Sequence, residues 1–376
     1  MRVIARMNVG GPAVQIAGLM RNIDSETFNQ RLYTGYCAEG EADYLDLVAT
    51  DVTSTRIRGF GRRMNLSQDI KAFVFLVKEI RSFKPHIVHT HTAKAGLLGR
   101  IASIISLHPS IRIHTFHGHL LNGYFSKNTT KIVVWVERFL AIFTHQLLAV
   151  GERVKLDLLE AGVGRPEKFG VMSPGLKLNH LYDKHVAKEC FGLDVSSLHC
   201  AYIGRVTSIK RPDRFLDVVR ELQSRETQIR FFMAGDGELL EACRLRVEAE
   251  NLPVTILGWQ ANIEMILSAA DMVVLTSDNE GTPLSLIQAG MAGLPVVASD
   301  VGSVSEVIVS GKTGIVTTVQ VEKLADAIEM LTVNKSLRQE MGIQGRNFTM
   351  GRFSLERLVN DHENLYRKFM THQAKF

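Results

Sequence analysis

The chain has 376 residues, 45% of them hydrophobic and 22% charged, with a formal net charge of +5 at pH 7. These values exclude a disordered or fibrous protein, and so small a surplus does not mark a nucleic-acid binder. At roughly 150 residues per domain, the length implies two domains. From the N-terminus, Val3–Met7 reads as a strand, Asn8-Val9-Gly10-Gly11-Pro12 as a turn and Ala13–Asn22 as a helix. Phe73, Leu76, Val77 and Ile80 recur at helical spacing, which predicts a helix over Gln68–Phe83 with Ser67 as N-cap and Pro85 as its stop. Then come a strand at Ile87-Val88-His89, a helix over Ala95–Ile105, a strand at Ile111–Phe116, a helix over Lys131–Phe143 and a strand at Gln146–Val150.

The rhythm pauses at Pro174-Gly175 and resumes near Leu198. Apolar strands follow at Cys200–Ile203, Ile229–Ala234, Val254–Leu257, Met272–Leu275, Val296–Ala298 and Ile315–Val316. Between them lie helices at Pro212–Ser224, Glu238–Glu250, Ile263–Ala269, Pro283–Ala292 and Ser303–Val309, and an amphipathic tail spans Ser354–Phe369. Strands this apolar belong to parallel sheets covered on both faces, so the expectation is α/β with two doubly wound Rossmann-like layers. The expected bounds are 1–176, 177–353 and a C-terminal helix at 354–376 that packs on the first domain.

The charge is unevenly spread. Residues 1–176 hold 22 basic and 14 acidic side chains, net +8, whereas residues 177–376 hold 22 and 25, net −3. Arg56, Arg58, Arg62 and Arg63 cluster around Phe60, ahead of a helix bearing Lys71, Lys78, Arg81 and Lys84, which suggests contact with an anionic membrane surface. No uncharged run is long enough to cross a bilayer, and the first residues lack an apolar signal core. Cys37, Cys190, Cys200 and Cys243 form no CxxC pair. A soluble cytosolic protein, peripheral on the membrane's cytoplasmic face, is the expectation.

Several loops fall at the carboxyl ends of strands, where doubly wound sheets bind ligands. Gly10-Gly11-Pro12 would let backbone approach an anion at a helix start, although neither GxGxxG nor a P-loop is present. Arg205 and Lys210 flank one short loop, a fork and a point charge suited to a diphosphate. In Ser277-Asp278-Asn279-Glu280-Gly281-Thr282-Pro283-Leu284, Thr282 reads as an N-cap and Pro283 as the first helical residue, with Glu280 beside amide donors. That combination suits a ligand that is part sugar hydroxyl and part phosphate. His89 and His91 share a strand face, and His117 and His119 end another strand. No carboxylate or cysteine stands at ligand spacing and there is no HExxH, so these histidines are expected to hydrogen-bond at strand ends.

Taken in order, these segments resemble a retaining glycosyltransferase of the GT-B fold, family four, two Rossmann-like domains facing each other across a cleft. Gly10-Gly11-Pro12 resembles that family's first glycine-rich loop, and His89 through Gly96 a segment of its bacterial envelope-polysaccharide members. Thr115-Phe116-His117-Gly118 resembles the loop whose histidine approaches the donor sugar, and Gly204-Arg205 with Lys210 the diphosphate pair. Gly235-Asp236-Gly237 and Leu257-Gly258-Trp259 resemble the next two ligand-side loops. Glu280 through Gln288 resembles the Glu-x7-Glu signature, with glutamine in place of the second glutamate.

The resemblance implies front-face transfer of a hexosyl or N-acetylhexosaminyl group with retention. Arg205 and Lys210 would steady the diphosphate, and Glu280 and His117 would orient the sugar. Gly10, Gly11, Gly235, Gly258, Trp259, Gln260, Ile263, Gly281, Thr282, Pro283, Leu284 and Gln288 would bind the donor. His89, His91 and Lys94 would meet the acceptor. No essential metal is expected. The donor would be a UDP-sugar, with a GDP-sugar as alternative, and the acceptor a lipid-diphosphate-linked or other glycan of a capsule or lipopolysaccharide. A sugar-nucleotide epimerase of the same architecture and a donor-binding but inactive scaffold are the competing readings.

Overall fold

The computed structural model describes residues 1–61, 64–118 and 127–373. The chain divides into two compact units: Met1–Leu176 with Leu355–Phe376, and Lys177–Ser354. In chain order the first contains β1 (Arg2–Ile4), α1 (Gly11–Asn22), β2 (Leu32–Thr34), α2 (Tyr44–Leu47), β3 (Thr55–Arg56), α3 (Leu66–Phe83) and β4 (Ile87–His91). It continues with α4 (Ala93–Ile105), β5 (Ile111–Phe116), α5 (Lys127–Phe143), β6 (Gln146–Ala149), α6 (Glu152–Glu160) and β7 (Phe169–Val171). The strands lie in the order β3-β2-β1-β4-β5-β6-β7, and every pair is parallel. Strand order reverses between β1 and β4, the place where such a sheet opens a crevice at its carboxyl edge. The Gly10-Gly11 turn follows β1 there, and β4 ends on His91.

The second unit contains α7 (Lys184–Cys190), β8 (His199–Ile203), α8 (Pro212–Ser224), β9 (Arg230–Ala234), α9 (Leu240–Ala249), β10 (Val254–Gly258) and α10 (Ile263–Ala269). After these come β11 (Met272–Leu275), α11 (Leu284–Met291), β12 (Val296–Ser299), α12 (Val304–Val307), β13 (Gly314–Thr317), α13 (Val321–Val333) and α14 (Lys335–Arg352). Its parallel sheet runs β10-β9-β8-β11-β12-β13, with the switch point between β8 and β11. Tyr202 and Phe231 from the sheet, Phe215 and Val219 from α8, and Leu324, Ile328 and Leu331 from α13 share one core. Both units are thus Rossmann-like α/β layers.

The last helix, α15 (Leu355–Gln373), belongs to the first unit. Leu358, Val359 and Tyr366 pack with Leu19, Ile23, Ile113 and Leu148 in one core cluster. Leu355 N–H donates to the Leu176 carbonyl at 2.8 Å, and the Arg357 guanidinium reaches the carbonyls of Ser173 and Pro174 at 2.8 and 2.6 Å.

Two local expectations are corrected. Helix α3 is capped by Asn65, whose side chain accepts from Gln68 N–H at 3.2 Å, while Ser67 is already helical and only donates to Asn65. Asn65→Ala should therefore cost about 1 kcal/mol in urea unfolding and Ser67→Ala clearly less. Equal costs would contradict this assignment. At α11 the cap is Pro283, with extended backbone, and the helix begins at Leu284, so Thr282 lies outside it. The preceding loop is drawn away from a helical path because Ser303 N–H binds the Glu280 carbonyl at 3.2 Å.

The basic cluster around Phe60 is described in part. That ring is fully buried in the core with Tyr33 and Leu76. Arg56 is spent on Asp43 and Asp46, at 2.6 and 2.9 Å. Arg62 and Arg63 lie outside the described residues.

Candidate functional site

In the second unit the loops after β8 and β11 meet at the switch point. Lys210 closes a single 3-10 turn, and its ammonium lies 2.5 Å from Glu280 Oε1. Ser277 Oγ donates to the same oxygen at 2.6 Å. The Glu280 side chain is 7% exposed and that of Lys210 21%, so the carboxylate is enclosed while the ammonium reaches the surface. An ammonium has three N–H donors. Glu280 is the one acceptor of Lys210 among the described residues, which leaves two donors for a ligand.

Both loops are braced from below. The Arg214 guanidinium donates to the Thr276 carbonyl and to Asp278 Oδ1, each at 2.6 Å, and Arg211 reaches Asp278 at 3.1 Å. Thr276 Oγ1 donates to the carbonyls of Lys210 and Arg211, and Asp278 N–H to that of Ile209 at 3.0 Å. Ser299 Oγ donates to the Ser277 carbonyl at 2.8 Å. Burial, with Glu280's charge second, pushes the Tyr202 phenol well up, so it stays a neutral donor to the Arg205 carbonyl at 3.0 Å. The Arg205 side chain is exposed and has no protein partner among the described residues.

The carboxyl edge beside Lys210 is built of backbone. Gly204 N–H donates to the Ala234 carbonyl at 3.0 Å and Gly235 N–H to that of Gly258 at 2.8 Å, which lays three loops side by side. A Cβ at Gly235 would stand 1.8 Å from the Gly204 carbonyl oxygen, so only glycine allows the approach. Trp259, Gln260 and Ile263 are half-buried, and the Gln260 amide is already used on the Leu257 carbonyl at 2.9 Å. Gly281, Thr282, Leu284 and Gln288 are half-buried and Pro283 is buried. The Gln288 amide has no hydrogen-bond partner among the described residues.

In the first unit the histidines form one connected group beside the sheet edge that carries the Gly10-Gly11 turn. His89, 1% exposed, is bonded at both ring nitrogens: Nδ1 to the Tyr366 hydroxyl and Nε2 to Thr115 Oγ1, each at 2.7 Å. His91, 2% exposed, shares a proton with His117 across 2.9 Å, Nδ1 to Nε2. Its Nε2 and the Nδ1 of His117 are buried without a protein partner. His114 Nδ1 pairs with Thr90 Oγ1 at 2.8 Å, and His362 Nδ1 with the Leu358 carbonyl at 2.9 Å. Burial holds all five neutral, lowering His117 to about 4 and His362 to about 3.

The expected acceptor residues therefore differ in what they offer. His89 is enclosed and acts on its neighbours, and Lys94 is committed to Asp69 in a nearly buried ion pair of 2.5 Å. His91 and His117 line a small recess with Gln15 and Thr115. His119 lies outside the described residues. Among the described residues no cluster of three His, Cys, Asp or Glu side chains is placed to hold a metal.

No local pattern pointed to Tyr366 and His362, because they join the group from 277 and 273 positions beyond His89. Ser277 stood inside the signature stretch without an assigned role. Its spacing of three from Glu280 across a turn was the available signal.

Two family models cover most of the chain: "Glycosyltransferase Family 4" matches residues 9–180, and "Glycosyl transferases group 1" matches residues 190–348. The chain is 28% identical, over 86% of its length and 85% of the relative's, to the UDP-Gal:alpha-D-GlcNAc-diphosphoundecaprenol alpha-1,3-galactosyltransferase of Escherichia coli. It is 24% identical to the capsular polysaccharide biosynthesis glycosyltransferase CapM of Staphylococcus aureus, covering 82% of this chain and 83% of that one. Among solved structures, Anabaena HepE in complex with UDP and glucose superposes with a TM-score of 0.83 at 18% identity, covering 97% of this chain and 98% of HepE. At that identity the likeness establishes the fold.

Proposed function

Because the chain belongs to the group 1 glycosyltransferases of family four, we propose that it transfers a hexosyl or N-acetylhexosaminyl group from a UDP-sugar to a lipid-diphosphate-linked glycan in bacterial envelope or capsule synthesis. The observation that carries this reading is Lys210, held by Glu280 at the β8/β11 switch with two N–H donors unspent. A nucleoside diphosphate leaving group gains charge as its bond to the sugar breaks, and a fixed cation there favours the transition state over the ground state. Arg205, unpartnered at the same edge, would add a fork to the phosphate oxygens.

Glu280, steadied by Lys210 and Ser277 on one oxygen, would accept a sugar hydroxyl on the other. The acceptor hydroxyl would then bond to the anomeric carbon on the face the diphosphate leaves, passing its proton to the departing phosphate, so the configuration is retained. His117 would face a sugar hydroxyl, with His91 fixing which ring nitrogen carries the proton. The galactosyltransferase relative, whose name states a UDP-sugar donor and a diphosphoundecaprenol acceptor, supports the donor and acceptor classes. The UDP complex of HepE supports the nucleotide. No described helix is long and apolar enough to cross a membrane. The epimerase alternative finds no support in the comparisons.

Incubation with radiolabelled UDP-sugars and a polyprenyl-diphosphate glycan should yield labelled lipid product. Donor turnover without acceptor would favour the epimerase, and absence of transfer from every common donor would end the transferase reading.

A donor-binding but inactive scaffold is a second reading that Gln288 favours, since a neutral amide replaces a carboxylate that bonds ribose hydroxyls in the family signature. Charge-assisted hydrogen bonds are about twice as strong as neutral ones. Gln288→Glu should tighten UDP binding in calorimetry by about tenfold, from roughly 1.4 kcal/mol. Unchanged binding would show that position 288 does not touch the nucleotide.

A further inference from the structure

Helix α5 carries a row of large apolar side chains in water. Ile132, Trp135, Phe139, Ile142 and Phe143 are between 42 and 68% exposed; Trp135 stacks on Phe139 at 6.5 Å between ring centroids, and Phe139 meets Phe143 edge-on at 5.3 Å. Their spacing of three and four residues places them on one stripe of the helix. A soluble helix normally turns such a stripe inward, and here the inner face is filled by Leu140 and Ala141 instead. The neighbouring α3 also presents Leu66, Ile70 and Val74 outward, at a spacing of four. Helix α4 packs against both, and right-handed crossovers put all three on one side of the sheet.

Charge decides what could cover this face. The three helices contain three acidic residues, and each is engaged inside the unit. Asp69 is paired with Lys94, Glu79 accepts from the Tyr33 hydroxyl at 2.7 Å, and Glu137, 4% exposed, is paired with Arg100 at 2.7 Å. The outward charges are cationic: Lys71, Lys78 and Arg81 on α3, Lys84 at its C-cap, and Lys131 and Arg138 on α5. A second copy of the same face would bring cation against cation. An anionic surface satisfies both the cations and the aromatic row, since Trp and Phe settle at headgroup depth while Lys and Arg meet lipid phosphates.

We propose that the α3–α5 face docks this chain on an anionic lipid bilayer, with Trp135, Phe139 and Ile142 entering the headgroup region. The proposal extends the lipid-linked acceptor reading but does not depend on it, because docking needs neither donor nor acceptor. It keeps the basic helix α3 of the surface expected from sequence and adds the aromatic row of α5.

The test is sedimentation of the full chain with vesicles of phosphatidylcholine, alone or with about 30% phosphatidylglycerol, in rising salt. The expected result is binding at least about tenfold stronger to the anionic vesicles, weakened by salt, with a blue shift of Trp135 emission in a Trp259→Phe background. Trp135→Ser with Phe139→Ser, both exposed and so tolerated by the fold, should lower the partition by about tenfold or more and leave UDP affinity unchanged. Absence of binding to anionic vesicles, or equal binding by the double variant, overturns the proposal. So does a dimer in sedimentation velocity that the same double variant abolishes, which would assign the face to a second copy. Because the vesicles contain no acceptor, failure here leaves the transferase reading intact, and failure of transfer leaves docking measurable.

Discussion

Lys210→Ala is expected to lower the rate of sugar transfer by about 10²- to 10³-fold, with a much smaller change in the KM for donor. The magnitude is that of removing one fixed donor from a developing anion in an enclosed site. The asymmetry between rate and KM follows because the diphosphate gains charge only as the glycosidic bond breaks. A structural role would behave differently. Removing the ammonium strands Glu280, 7% exposed, with Ser277 as its remaining side-chain partner. Breaking such a pair costs about 3–5 kcal/mol when fully buried, and less here because Lys210 is 21% exposed.

Lys210→Arg separates the two effects, since it keeps the charge but not the point geometry. It should restore most of the stability and only part of the rate. Steady-state kinetics with radiolabelled donor, run beside urea melts of each variant, make the comparison. A Lys210→Ala rate within about threefold of the parent would remove Lys210 from the proposed chemistry.

The second large effect is acid lability confined to the first unit. His89, His91, His114, His117 and His362 are neutral in the folded state, with His117 lowered to about 4 and His362 to about 3 by burial. In the unfolded chain each would titrate near 6.5. Their folded pKa values are depressed, so the unfolded chain binds protons first as pH falls. Stability is then full above pH ~6.5 and declines down to the folded values. Each histidine contributes a slope of up to about 1.4 kcal/mol per pH unit in that window, so the group removes several kcal/mol by pH ~5.5.

The second unit has one described histidine with a lowered pKa, His199, and should hold at the same pH. Urea titrations read by hydrogen exchange at pH 7.5 and 5.5 (both roughly one unit from the midpoint) would resolve the units. Parallel loss of protection in β4 and β8 would refute the assignment.

Much of the architecture was legible because strands such as β11 and β12 are rich in apolar residues and bounded by turn residues. The ordered loops singled out Lys210 and Glu280, which the structure pairs at 2.5 Å. What stayed hidden was local signal too short or too contrary. β2, β3 and β7 have three, two and three residues, too few to show a period. Helix α14 contains Gly342, Gly345 and Gly351, which argue against a helix by propensity. The structure explains one of them. A Cβ at Gly342 would meet the Gly293 carbonyl oxygen at 2.1 Å, where the chain leaves α11, so α14 seats closely there. Tertiary packing overrides propensity there. The histidine group was likewise visible only in part, because its Tyr366 partner arrives from α15.

That late arrival has a consequence for synthesis. The first unit is begun by residue 1 but closed by α15, which emerges from the ribosome only after the whole second unit. Until then Leu19, Ile23, Ile113 and Leu148 lack Leu358, Val359 and Tyr366, and His89 lacks the Tyr366 hydroxyl at its Nδ1. The order of completion is therefore the reverse of the order in which the units are begun: the inserted unit matures while its host waits with an open seam. Such a seam is apolar surface of the kind chaperones shield, and the nascent chain carries it for the time needed to make Lys177–Ser354.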